Sequence, residues 1–380
     1  MKKQKIAVAM SGGVDSGVTA ALLVKQGYKV AGFHLQLWSE GRKDKSESLK
    51  AARKTTHQLG IPFYIADFQQ VFKKRVVDYF LQEYGLGQTP NPCVVCNRFI
   101  KFGELLVYVR KLGYDYLATG HYARILGGSG DTFFAHGEFT SSLRSELSSQ
   151  FAQNGRLRLS MGKDKNKDQS YFLYNLTQKK LAQVMFPVGD FLKTEVVKMA
   201  KKWKLAAAER PESQEVCFFP EKDYRPFLKR QIKRKIIPGE VIDTQGKIIG
   251  KHQGIPLYTI GQRHGFTITD KKMIGPFYVA AKDYKKNQLI VGFGKEVERK
   301  EFMIKETNWI SDKSPKDKLK CKVRIRHQGE LLGCKLGINS HGVAVLLNEG
   351  ERGVAPGQAA VFFQGEEVLG GGIIAIDSKS

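Results

Sequence analysis

The segment IAVAM-SGGVDS-GVTAALL, residues 6–23, does most to limit what this chain can fold into. Ile6–Met10 reads as a buried strand and Gly17–Lys25 as a helix, joined by a turn rich in glycine and hydroxyls. A strand feeding a helix through such a turn begins a βαβ unit, and βαβ units build parallel sheets. The turn also has a chemistry. Backbone N–H groups of Ser11, Gly12 and Gly13 converge on anionic oxygens, the Ser11 and Ser16 hydroxyls add donors, and the helix lends its positive end. Phosphates suit that place. Asp15 repels phosphate, which leaves it the job of holding a magnesium ion that bridges the phosphates. The chain contains no GxxxxGK[ST] and no GxGxxG after a strand, so a Walker loop and a dinucleotide fingerprint are excluded.

The alternation continues, with strand signals at Lys29–His34, Pro62–Ala66 and Tyr116–Thr119 and a helical one at Ser46–Leu59. This is an α/β pattern, a parallel sheet with helices on both faces. Gly127–Gly155, rich in Gly, Ser, Thr, Asn and Gln, interrupts it as a surface insertion. Helical patterns return at Ser170–Asn175 and Lys193–Lys204. Composition shifts after Pro211. KDYRPFLKRQIKRK, residues 222–235, holds seven basic residues and one acid, with Pro226 early in a helix and Tyr224, Phe227 and Leu228 on one side. Such a density of positive charge repels itself unless an anion is near, which favours RNA contact over a merely solvated face. From Ile237 onward, runs such as KIIGKH, PFYVAAKD, QLIVGFG, CKVRIRH, GVAVLLN and AAVFFQG read as short strands with tight turns, so the chain ends in a β-barrel or sandwich. The expected domains are 1–222, 223–286 and 287–380.

Composition narrows the partner. Lys and Arg number 62 against 37 Asp and Glu, a net charge of +25, which points to a polyanion such as nucleic acid. A hydrophobic content of 42% is enough for real cores and excludes wholesale disorder. No apolar run reaches membrane-spanning length, and five cysteines at 93, 96, 217, 321 and 334 are too few and too scattered for a disulfide scaffold. A protein of the reducing cytoplasm, away from membranes, is the expectation.

In TPNPCVVCNRFIKF, Pro90 and Pro92 stiffen the approach to Cys93 and Cys96, one helical turn apart. The pair reads as a redox couple, half a zinc site or iron–sulfur ligands. Cys321 and Cys334, with no suitable HxxxH, supply no second half for zinc. A thiolate beside Arg98 and Lys101, near a helix start, is stabilised and nucleophilic. Cys217, in PESQEVCFFP beside Phe218 and Phe219, reads on its own as packing.

The phosphate turn resembles that of the PP-loop ATP pyrophosphatases, with an adenine nucleotide alpha hydrolase-like fold. The conjunction, in order, of SGGVDS, TPNPCVVCNRFIKF, YLATGHYAR, KDQSYFL, SQEVCFF, GKHQGIPLYTIGQRHG and APGQAAVFF is similar to the tRNA-specific 2-thiouridylase family over nearly the whole chain. The resemblance implies a parallel-sheet catalytic domain, a small central β-rich domain and a C-terminal β-barrel. It implies ATP with magnesium, a tRNA substrate, no DNA, and a sulfur-donor protein. ATP adenylates the 2-oxygen of the wobble uridine, and a cysteine persulfide then delivers sulfur to carbon 2. By motif position Cys217 is the persulfide carrier and Cys96 its partner, brought together when substrate orders the loop around position 217.

The same matching assigns Ala9, Met10, Ser11, Gly12, Gly13, Val14, Asp15, Ser16, Leu35 and Gly120 to ATP. It assigns Asn91, Pro92 and Cys93 to the target base, and His121, Lys167, Asp168, Gln169, Arg326, His327 and Gln358 to tRNA. Two features depart from the family pattern. Cys93 stands where many members carry Asp, which removes a carboxylate base and makes Cys93, Cys96 and Cys217 alternative ligands for a [4Fe–4S] cluster. The Gly127–Gly155 stretch is longer than the pattern expects. A tRNA-binding protein without catalysis is the reading from another class.

Overall fold

The computed structural model describes residues 3–40, 44–127, 156–209, 216–270, 275–315, 317–339 and 342–375. Strands β1 (Lys5–Ala9), β2 (Lys29–Gln36), β3 (Phe63–Asp67), β4 (Tyr116–Ala118) and β7 (Val184–Met185) form one sheet, ordered β3-β2-β1-β4-β7. All four pairings are parallel. Such strands are covered on both faces, which is why Ile6, Ala7 and Val8 all lie fully inside. Helices Val14–Lys25 and Asp44–Gln58 cover one face, where Ala20, Leu23 and Ala52 meet Ile6 and Val8. On the other face Leu105, Leu106 and Val109 pack on Ala7, Phe33 and Leu117. Strand order reverses between β1 and β4, and in such sheets a ligand crevice opens beyond the strand ends at that point. The turn after β1 is SGGVDS, and the turn after β4 begins Thr119-Gly120.

The expected helix at Ser170–Asn175 is a single 3-10 turn, Ser170–Leu173, because Asp168 ties the chain down just before it. An antiparallel pair, β5 (Ala123–Leu126) and β6 (Arg158–Met161), was not legible in the sequence. The anticipated insertion falls between them, and residues 128–155 lie outside those described.

The central sheet comprises β8 (Gly239–Ile242), β9 (Ile248–His252), β10 (Thr267–Ile268), β11 (Tyr278–Asp283) and β12 (Gln288–Gly292), ordered β10-β9-β8-β12-β11. β12 pairs with both β8 and β11, so the expected boundary after residue 286 is corrected to the chain beyond Gly292. The basic segment forms the helix Tyr224–Gln231, whose Phe227 and Leu228 are buried with Phe72, Phe80, Phe218 and Phe219. Central and catalytic domains thus share one core.

Strands β13 (Glu298–Trp309), β14 (Lys318–Arg324), β15 (Leu332–Asn339), β16 (Gly342–Arg352), β17 (Ala359–Gln364) and β18 (Glu367–Ile374) run antiparallel, and the β13–β18 pairing closes them into a barrel. Closure removes the sheet edges, except that β18 also pairs with β6 and so ties the barrel to the catalytic domain.

The three domains meet on residues 87–89. Lys282 of β11 donates to Gly87 O at 3.0 Å and also to Tyr258 O. Thr89 Oγ1 donates to Thr259 Oγ1 at 3.2 Å, Thr89 N donates to Pro356 O at 2.8 Å, and Gln358 Nε2 donates to Thr89 O at 3.0 Å. Gly357 lies in the left-handed region with φ +90°, and a Cβ there would come within 3.0 Å of Thr89 backbone atoms. Gly27, at φ +80°, has open space around it. Gly357→Ala should therefore lower unfolding free energy by about 1–3 kcal/mol, and more than Gly27→Ala, which meets only the backbone strain. Denaturant melts of the two variants check this; equal losses would show that the contact with Thr89 carries no weight.

Candidate active site

At the switch point, Gly12 takes φ +79°, a conformation that bends the chain sharply between β1 and the first helix. Ser16 is 4% exposed; its Oγ donates to Gly13 O at 3.0 Å and lies 3.2 Å from Ser11 Oγ. These bonds hold the turn so that the helix N-terminus faces the crevice. Gly120 closes the other side, where a Cβ would sit 2.8 Å from Asp15 C and 2.9 Å from Ser16 N. Glycine is needed there because the β4 turn rests on the phosphate turn itself. Leu35 lies near the end of β2, half-buried against two apolar clusters.

Asp15 behaves otherwise than expected. Both its oxygens accept from Lys193 Nζ, at 2.7 and 2.9 Å, and Oδ1 also accepts from Tyr122 OH at 2.8 Å. The carboxylate is occupied by an ammonium and a phenol, so it does not fit an open magnesium ligand. Lys193 opens the helix Lys193–Lys202, its side chain 15% exposed, and it brings a cation to the rim of the phosphate turn. Sequence reading placed a helix here but missed Lys193; its only signal was a lysine at the helix start, where an acid is the usual residue.

The cysteines follow the three-domain junction directly. Asn91 caps the short helix Pro92–Cys96, its side chain accepting from Val94 N at 3.2 Å, with Pro92 in the first turn. The helix continues as a π-helical stretch, Asn97–Leu105, so Cys96 lies inside a continuous helix and not at its start. Cys93 is open to solvent and Cys96 is 8% exposed. Cys217 is exposed too, while its neighbours Phe218 and Phe219 are 1% and 2% exposed. Phe218 meets Phe72, Phe80 and Phe227 at ring separations of 5.9, 5.3 and 5.6 Å. The aromatic pair is the anchor and the thiol is what it presents, which corrects the reading of Cys217 as packing.

None of the three is in a disulfide, and they are close enough that Cys217 bears on the acidity of the other two. Burial pushes Cys96 up to about 12; Lys101 pulls it down, and Cys217 and Cys93 push it up further. Cys93 is wetted at its surface but walled in by protein, and desolvation followed by Cys217 raises it to about 11 against the pull of Lys101. The expected thiolate is therefore corrected to a neutral thiol in this conformation, because desolvation outweighs one nearby cation. Arg98 does not help: it pairs with Glu306 of β13 at 3.4 Å and lies over Phe99. Among the described residues, no three His, Cys, Asp or Glu side chains form a group that could hold a metal ion. Cys93, Cys96 and Cys217 thus do not fit an iron–sulfur ligand set here.

Lys101 links the two halves of the site. Its Nζ lies 3.3 Å from His121 Nε2, and His121 Nδ1 lies 2.7 Å from Thr119 Oγ1, the residue before Gly120. Burial, then Lys101, holds His121 well below its usual pKa, so the ring is neutral, with Nε2 accepting from the lysine. His121 is 7% exposed between Phe102 and Phe186, an internal bridge where a surface contact was expected. Asn97, next to Cys96 and missed in the sequence, donates to Phe172 O at 3.3 Å while its buried Oδ1 accepts from nothing among the described residues.

The remaining expected RNA contacts divide. Asp168 is 3% exposed and accepts from Gly162 N, Ser170 N and Oγ, and Arg324, so it is corrected to an internal strut. Gln169 exchanges bonds with the Tyr122 backbone, and Lys167 is half-buried beside them. Arg326 is exposed and bonds Glu351, His327 packs on Phe172 at 4.3 Å, and Gln358 holds Thr89. In the basic helix, Arg230 is taken up by Glu40 and Glu221 and Arg225 by Asp223, while Lys222, Lys233, Arg234 and Lys235 have no carboxylate partner among the described residues.

This fold defines an α/β domain of HUP type carrying two β domains. Residues 4–221 match the family model described as tRNA methyl transferase HUP domain, 225–293 its PRC-barrel domain, and 299–374 the aminomethyltransferase beta-barrel domain. The chain is 38% identical to tRNA-specific 2-thiouridylase MnmA of Carboxydothermus hydrogenoformans, covering 98% of both chains. It is 44% identical to that of Roseiflexus sp. strain RS-1, covering 98% of this chain and all of the other. The chain belongs to the tRNA-specific 2-thiouridylase family. Among solved structures it is similar to U34-tRNA thiolase NcsA from Methanococcus maripaludis, at 20% identity and a TM-score of 0.34 over 61% of this chain and 65% of that one. No helix among the described residues is long and apolar enough to cross a membrane.

The raised acidities set a test. Between pH 7 and 9, iodoacetamide labelling of Cys93 and Cys96 in the RNA-free protein should be slow and rise about tenfold per pH unit, tracking thiolate fraction. Quenched peptide mass spectrometry reads both rates. A rate flat over that range would mean that the thiolates already exist at neutral pH.

Proposed function

We propose that the chain catalyses ATP-dependent 2-thiolation of the wobble uridine in tRNA. The observation that supports this reading is the run of neighbours Cys93/Cys96–Lys101–His121–Thr119–Gly120–Asp15, electrostatic at its first link, which connects the thiols to the glycine-rich turn. ATP enters with its phosphates on Ser11–Ser16 and with magnesium as its own counterion, while Lys193 supplies fixed positive charge at the rim. The uridine comes from a single-stranded loop, where unstacking is cheap, and lies against Asn91, Pro92 and Cys93. Asn97 Oδ1, an acceptor without a donor among the described residues, suits the N3–H of uracil.

The 2-oxygen attacks the α-phosphorus of ATP and pyrophosphate leaves. The terminal sulfur of a persulfide on Cys217 then adds to carbon 2, and AMP departs with the former 2-oxygen. Cys96 attacks the Cys217 sulfur, breaking its bond to the transferred sulfur and leaving a Cys96–Cys217 disulfide that a reductant reopens. Cys96 must lose its proton for this step, and Lys101 is the cation that offsets part of the cost of the buried thiolate. Cys93 is a neutral thiol at rest and supplies no general base. A sulfur-donor protein loads the exposed Cys217, and the setting is the cytoplasm.

Incubation of tRNA with ATP, magnesium and a persulfide-donating protein, read by nucleoside mass spectrometry, tests this. The wild type should form 2-thiouridine, and Cys96→Ser and Cys217→Ser should each abolish it. A wild type that binds tRNA but thiolates nothing and releases no pyrophosphate would instead favour a binder without catalysis. Lys193→Met should cut tRNA-dependent pyrophosphate release about 100-fold with tRNA affinity unchanged. Replacing Lys233, Arg234 and Lys235 with Gln should lower the salt slope of tRNA binding by about one for each phosphate no longer neutralised, while Arg230→Gln leaves it unchanged. Equal effects from both sets would remove the basic segment from the RNA surface.

A further inference from the structure

The thiolation reaction uses Cys96 and Cys217. Cys321 and Cys334 have no part in it, yet they are placed as a pair. They stand directly opposite each other in the register of β14 and β15, between Lys320↔Lys335 and Lys322↔Gly333. Their sulfurs are 3.6 Å apart. Opposed residues on neighbouring antiparallel strands have Cα atoms about 4.5–5.5 Å apart, inside the range a disulfide spans, so the bond can form without moving backbone. Cys334 faces the barrel core at 3% exposure, with Leu336, Val345 and Phe362 in the same cluster, and Cys321 is half-exposed beside it. Cys321 is the more accessible of the two, and Cys334 lies behind it.

The surroundings select the reagent. Along β14 the side chains alternate, so Lys318, Lys320 and Lys322 stand on the outer face while Cys321 turns with Leu319 and Val323 toward the barrel core. Lys320 is directly opposite Lys335, a like-charge pair that a bound anion would relieve. None of these four lysines has a carboxylate partner among the described residues. An anionic small disulfide, of which glutathione disulfide is the available probe, is drawn to such a face.

We propose that Cys321 and Cys334 form a reversible dithiol–disulfide couple, oxidised by an anionic low-molecular-weight disulfide, which staples β14 to β15 of the barrel. The thiolate of Cys321 attacks one sulfur of the small disulfide and expels the first small thiolate. Cys334 then attacks the Cys321 sulfur and expels the second. Two protein thiols lose two electrons and two protons, and the small disulfide gains them as two thiols. The staple crosses the strand whose next residue but two is Arg324, the ion-pair partner of Asp168 at 3.0 Å, so it fixes the barrel wall that touches the catalytic domain. This inference stands apart from the thiolation reading, since neither sulfur belongs to that site.

The full chain, without RNA, is incubated with excess glutathione disulfide, acid-quenched, alkylated, digested and mapped. The expected product is the 321-containing peptide joined to the 334-containing peptide, lighter by two hydrogen atoms than the separate pair and restored by dithiothreitol. The same link should form when Cys93, Cys96 and Cys217 are all replaced by Ser, with both remaining thiols lost and no dimer. Cys334→Ser should instead retain one glutathione on Cys321, because nothing resolves it. Separate glutathione adducts on both cysteines, full alkylation of both, or a link between two chains would each overturn the proposal, and wild-type mapping decides it should the triple variant fail to fold.

Discussion

Thr89 is the point on which the rest of the architecture depends. Its N–H and carbonyl bond Pro356 and Gln358 in one segment of the barrel domain, and its hydroxyl bonds Thr259 of the central domain. Two residues later Asn91 caps the cysteine helix. A chain of prolines and paired backbone groups has little freedom, so a displacement of either β domain must reach Cys93 and Cys96. The β domains are thus part of the frame that holds the cysteine helix.

The electrostatics of the site run against leaving it permanently reactive. A buried thiol resists ionisation by more than one lysine at this depth offsets, so Cys96 rests protonated while exposed Cys217 is presented on an aromatic anchor. Such a division suits a group that must accept sulfur from a protein donor at one position and act only after RNA arrives at the other. Asp15 follows the same logic in reverse. Its charge is held near phosphate only because Lys193 cancels it, and Tyr122 fixes the pair in place.

Much of the fold was legible because period and punctuation coincide. β1 through β4 and the two helices between β1 and β3 lie within a few residues of where apolar runs and turn residues place them, closely spaced glycine turns foretold a barrel or sandwich, and the helices of residues 69–111 were not foreseen. What the sequence hid was long-range. β5 and β6 flank a compositionally loop-like stretch, and the pairing of β6 with β18 joins residues more than two hundred positions apart. The boundary at residue 286 failed because β12 completes a sheet begun at β8. Polar residues were the least legible. Asp168, His121 and Gln358 carry motif positions, yet each turns its side chain inward to hold a neighbouring segment, and no local pattern separates a strut from a ligand contact. Lys193 and Asn97 were missed for the same reason, since their partners are distant in sequence.

The central claim is that the phosphate turn and the cysteines act in order on one base, activation of its 2-oxygen first and sulfur delivery second. A single turnover with tRNA whose wobble uridine carries oxygen-18 at position 2 tests that order most directly. The account predicts that the heavy atom appears in the phosphate of AMP, one label for each 2-thiouridine formed. Thiolation with unlabelled AMP, or with the label released to water, would contradict it.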